Sequence, residues 1–158
     1  MHDEWGHTIA NHFWTHEAPK GSKHHSSPVS NQVLIRNMLF AGNWLDERGF
    51  EDGSQLVALP FGSIGGGWTG ALITSLLDFC DQIRDVGDGI NRRGSRILTA
   101  IETTKTVDAP DDALVCYYFH SNIKTPDEDL IDLITKLKDS DVEMTSMLKE
   151  APNVSTRT

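Results

Sequence analysis

The sequence predicts an α+β domain: three amphipathic helices packed on a small sheet with an antiparallel hairpin, preceded by an extended or helical N-terminal arm. Three observations carry this expectation. Apolar residues recur at helical spacing in three stretches, starting near Ser30, Trp68 and Thr125. Two strand-like runs, Arg96 to Val107 and Leu114 to Phe119, flank the turn formers Asp108-Ala109-Pro110-Asp111-Asp112. The chain has 158 residues, 38% of them hydrophobic and 23% charged, which suits one domain with a full core.

In chain order, residues 1–29 read as an arm and linker, 30–151 as a single domain and 152–158 as a frayed tail. The arm holds six of the seven histidines. Its end, Pro19 to Pro28, is small, polar and proline-bounded, as a linker is. Trp5, Ile9, Phe13 and Trp14 are too apolar for a solvated tail, so Trp5, Phe13 and Trp14 are taken as interface residues. On this reading the arm matters more to assembly than to folding.

Ser30 or Asn31 caps a first helix whose stripe is Leu34, Met38, Ala41 and Leu45, and Arg48-Gly49 ends it in a Schellman-type turn. Gln55 to Leu59 is a short apolar run between Asp52-Gly53 and Pro60, the length of a buried strand. A second helix carries Leu72, Ile73, Leu76, Leu77, Cys80 and Ile83 and is expected to stop at Gly87. The third opens on Thr125, Pro126 and Glu128, a capping box with a favoured proline, and continues through Leu130, Leu133, Ile134, Leu137, Met144, Met147 and Leu148, as one long helix or as two divided at Ser140-Asp141.

Twenty-three acidic against fourteen basic side chains give a net charge of -9, which repels phosphate backbones and makes nucleic acid an improbable partner. No apolar run reaches the roughly eighteen residues that span a bilayer, and Met1-His2-Asp3-Glu4 does not open a secretory signal. A cytoplasmic protein without membrane contact is expected. Cys80 and Cys116 lie inside apolar stretches and read as buried reduced thiols.

Three groups of residues can carry chemistry. The turn Phe61 to Gly70 lies between a predicted strand and a predicted helix, and Gly62, Ser63, Gly65, Gly66 and Gly67 are its candidate phosphate ligands. Gly65, Gly67 and Gly70 satisfy G-x-G-x-x-G, but a Walker-type loop ends in Gly-Lys-Ser/Thr and this chain reads Trp68-Thr69-Gly70 there. His12 and His16, four apart, would share a helix face and chelate a divalent metal. Arg84, Arg92, Arg93 and Arg96 can grip a phosphate or carboxylate, with Asp81, Asp85 and Asp88 nearby for local ion pairs. His120 has no nucleophile or carboxylate partner at a telling spacing.

No complete catalytic constellation emerges, and no cofactor is assigned. The expected function is a non-catalytic interaction or assembly protein, self-associating or binding a protein partner through its N-terminal arm or C-terminal helix. The alternative is a small enzyme or ligand-binding domain that holds a phosphate-bearing molecule at Gly62 to Gly70.

Overall fold

The computed structural model describes residues 8–23, 29–62, 67–102, 107–119, 126–140 and 143. Helix α1 spans Asn31–Asp46 and is followed by the single turn α2 (Glu51–Ser54), strand β1 (Leu56–Ala58) and helix α3 (Gly70–Leu76). Strands β2 (Gln82–Val86), β3 (Ile90–Asn91), β4 (Ile97–Glu102), β5 (Leu114–Val115) and β6 (Tyr117–Tyr118) come next, then helix α4 (Pro126–Lys138).

Helix α1 starts where Ser30 Oγ accepts from the Val33 amide and ends where the Phe50 amide reaches Leu45 O and the Gly49 amide reaches Asp46 O, the two bonds of a Schellman motif. Its inner stripe, Leu34, Met38, Ala41 and Leu45, is buried. Ser30→Ala removes the cap acceptor and is expected to cost about 1 kcal/mol in urea unfolding, with the slope of the transition unchanged.

The sheet departs from the expected one. Four strands pair in the order β1-β2-β4-β6, and every pairing is parallel. The anticipated antiparallel hairpin between the run from Arg96 and the run from Leu114 does not form. Instead the second run divides at Cys116: Leu114–Val115 pairs antiparallel with β3, and Tyr117–Tyr118 pairs parallel with β4. Cys116 makes the handover, its amide donating to Gly89 O and its carbonyl accepting from Ile101 N. Five turn formers spaced as in a hairpin loop do not force a hairpin when a nearer edge is open. That edge is β3, held in place by Asn91, whose Nδ2 donates to Gly89 O, Thr99 O and Leu114 O while Oδ1 accepts from the Thr99 amide.

The second helix is also shorter than its periodicity suggested. It ends at Leu76, and Gln82 and Ile83 belong to β2. Arg96 supplies the physical reason: its guanidinium donates to Leu77 O, Cys80 O and Asp81 O, satisfying carbonyls at the helix end and turning the chain into the sheet. The third helix begins at Pro126 and runs to Lys138; its proposed cap Thr125 and its proposed continuation through Met144, Met147 and Leu148 lie outside the described residues.

Over residues 8–18 the arm forms no helix: it bridges β1 at Asn11, takes a left-handed φ of 68° at Phe13 and bends at Trp14 and Thr15, which removes the helical alternative. Asn11 forms a parallel bridge with Val57, its amide donating to Leu56 O at 2.9 Å and its carbonyl accepting from Ala58 N at 2.8 Å. Its buried side chain donates to Met38 O and accepts from the Phe13 amide. Phe13, 8% exposed, joins Leu34, Met38, Val57, Leu59, Leu72, Leu76 and Ile83 in the core. The arm therefore extends the outer edge of the sheet and contributes to its hydrophobic core.

Candidate functional site

Strand β1, the glycine turn, helix α3 and strand β2 form a β-turn-α-β unit with β1 and β2 adjacent and parallel. In open parallel sheets ligands bind beyond the carboxyl ends of the strands, which is where this turn lies. Ser63, Gly65 and Gly66 fall outside the described residues; Gly62 and Gly67 fall within them. Both have positive φ, +62° and +74°. A Cβ on Gly62 would stand 2.6 Å from Val86 Cγ2, and one on Gly67 would stand 2.7 Å from the amide nitrogen of Ser22. The close approaches these glycines permit are thus to β2 and to the arm.

The residues between them set a second frame. Gly62, Gly67 and Thr69 have the spacing of G-x-x-x-x-G-K-S/T, with Trp68 in the lysine's place. Trp68 is 5% exposed, its Nε1 donates to Pro60 O at 2.8 Å, and its ring packs on Phe13 with centroids 5.4 Å apart. Where a phosphate loop presents a cation, this turn turns an indole into the core. The missing lysine is what sets this turn apart from a Walker-type loop.

His12 and His16 do come together, though across the bend after Phe13 and not on a helix face. Their ring centroids are 4.8 Å apart, His12 Nδ1 faces Ala58 O at 2.8 Å, and His16 stacks edge-on against Phe61. Among the described residues no third histidine, cysteine, aspartate or glutamate joins them as a metal-binding group. Arg96 serves as the helix cap described above, and Arg92 and Arg93 are exposed. His120 and Trp5 lie outside the described residues.

Of the interface candidates within the described residues, Phe13 is in the core and Trp14 is on the surface. Asn37 explains the division. Its carbonyl accepts from the Trp14 amide, and its Nδ2 donates to Thr15 Oγ1 and Glu17 Oε2, fixing the arm along the outer face of α1. Trp14 then meets Phe40 edge-on at 4.6 Å and Trp44 at 6.2 Å between centroids. The three rings are 50%, 55% and 37% exposed, and the Arg48 guanidinium lies 3.8 Å over the Trp44 ring. Phe40 and Trp44 escaped the sequence reading as a pair. The signal was present: Val33, Phe40 and Trp44 lie at i, i+7 and i+11, a second apolar stripe beside the buried one.

On the other side of the sheet, burial pushes the Cys116 thiol above its ordinary value, against the lowering effect of Arg84. Burial, with Glu102 nearby, likewise raises the Tyr118 hydroxyl. For both groups the folded state holds the proton longer than the unfolded chain does. Their contribution to stability is complete below the unfolded pKa values and is lost as pH rises through the folded ones. Urea midpoints are therefore expected to fall on going from pH 8 to pH 11, and Cys116→Ser is expected to flatten the earlier part of that fall.

Among the described residues no helix is long and apolar enough to cross a membrane. A scan against protein-family models, a search of curated proteins and a search of solved structures each find no match to this chain.

Proposed function

We propose that the protein is a non-catalytic interaction or assembly protein of the cytoplasm that self-associates through the surface built by Trp14 of the arm and Phe40 and Trp44 of α1. The observation that supports this reading most is the exposure of three mutually packed aromatic rings on one face. Burying large aromatic side chains dominates interface energetics, and contiguous exposed apolar surface is uncommon on proteins that stay alone. The hydrogen bonds from Asn37 hold Trp14 in place before any partner arrives, which lowers the ordering cost of association. A two-fold axis across α1 would set this stripe against its own copy, the self-complementary geometry of a homodimer.

The alternative, a phosphate-bearing ligand at Gly62 to Gly70, is weakened by the indole of Trp68 in the cation's position and by the arm backbone against Gly67. The test is association measured on the whole chain. Phe40→Ser with Trp44→Ser is expected to abolish self-association while leaving the unfolding midpoint nearly unchanged, because both side chains are exposed.

A further inference from the structure

Arg84 is the third residue of β2, in register with Ala58 on one side and Leu98 on the other. Side chains alternate along a strand and residues paired in a parallel ladder share a face, so Arg84, Leu98, Ala100, Glu102 and Tyr118 lie on one side of the sheet. Ala100, on the strand between those of Arg84 and Tyr118, is small and buried. The guanidinium stands 5.6 Å from the centroid of the Tyr118 ring, within cation–π reach. Cys116 is close enough for its thiol and the guanidinium to influence one another.

This cation is half-buried, and among the described residues it forms no hydrogen bond or ion pair. No carboxylate among the described residues forms an ion pair with it, although the charge of Asp85 is felt at the guanidinium. Asp85 follows it in the strand, and its Oδ1 accepts from the Val86 amide. Glu102 lies beside Tyr118, opposite it in the ladder, and makes no ion pair with Arg84. Burial lowers the Arg84 pKa against the combined raising effects of Cys116, Asp85 and Tyr118. A guanidinium partly removed from water with no anion in direct contact is costly, and its planar fork matches two oxygens of a carboxylate or phosphate.

We propose that Arg84, with Cys116 and Tyr118 beside it, is a binding site for a small oxyanion, a carboxylate or a phosphate group. The ring of Tyr118 flanks the guanidinium. With a net charge of -9 the protein does not steer anions toward itself, so recognition rests on contact at the fork and not on long-range attraction. This site is separate from the aromatic surface on α1 and stands or falls independently of it.

The thiol reports occupancy. An anion on Arg84 removes the positive charge that favours the Cys116 thiolate, so it slows alkylation of Cys116. The rate is read by peptide mapping after iodoacetamide treatment of the whole chain, which separates Cys116 from buried Cys80. Sodium phosphate is compared with sodium acetate, each against sodium chloride at equal ionic strength. A slowing of about threefold by phosphate alone assigns a phosphate-type ligand, and a similar slowing by acetate extends the site to carboxylates. Arg84→Gln is expected to slow the basal rate and to abolish the response to either anion. If neither anion slows the reaction, or if folded Arg84→Gln responds as the unaltered chain does, the proposal is overturned. Should Arg84→Gln not fold, Arg84→Lys replaces it: this variant keeps the charge but loses the fork, so a weakened response is expected and an undiminished one overturns the proposal.

Discussion

Deletion of residues 1–22 is expected to abolish the cooperative unfolding transition. The segment supplies Phe13, Ala18 and Pro19 to the buried interior and two main-chain hydrogen bonds to β1 through Asn11. Its loss uncovers Trp68, leaves the β1 edge unpaired and removes the donor to Met38 O. A buried phenylalanine alone is worth about 3–5 kcal/mol when truncated, against a total stability of about 5–15 kcal/mol for a domain. Circular dichroism during thermal unfolding gives the answer. A sharp transition in the shortened chain would mean that the arm is an accessory to a core complete without it. That second outcome is what the sequence suggested, because a polar stretch from Pro19 onward looks like a tether; the structure instead shows Phe13 and Asn11 anchored before the tether begins.

Trp68→Ala is expected to destabilise the protein by about 3–5 kcal/mol, because it empties a core position between Phe13 and the helix-covered face of the sheet and leaves Pro60 O without its donor. Trp68→Phe separates the two contributions. It keeps most of the packing and loses only the hydrogen bond, so a cost of about 1–2 kcal/mol is expected in urea unfolding. A neutral Trp68→Ala would show that the indole is not a core element, and it would return the turn to the phosphate-loop reading that its Gly62, Gly67 and Thr69 spacing suggests.

What the sequence made legible was local. Helix α1, with its serine cap and glycine terminator, is written in consecutive residues, and so is the stripe that it buries. The short run at Leu56–Ala58 was recognisable as a strand for the same reason. Strand direction was not. Whether Leu114 to Tyr118 returns antiparallel to β4 or splits between two sheets depends on Asn91, whose side chain reaches residues 8 and 23 positions away. The end of α3 depends on Arg96, about twenty residues downstream. Local periodicity holds no record of such long-range bonds. The candidate site divides likewise: Trp14 stood out, with Trp5 and Phe13, as an aromatic of an arm too apolar to be solvated, whereas Phe40 and Trp44 become its partners only because Asn37 draws the arm across α1.

The account rests most heavily on self-association through that aromatic surface, and sedimentation velocity over a concentration series tests it most directly. The unaltered chain is predicted to move toward twice its 17.5 kDa mass as concentration rises, and the Phe40→Ser, Trp44→Ser variant to remain at the single-chain mass throughout. An unaltered chain that sediments as a monomer at every concentration, or a variant that associates as strongly as its parent, would contradict the account.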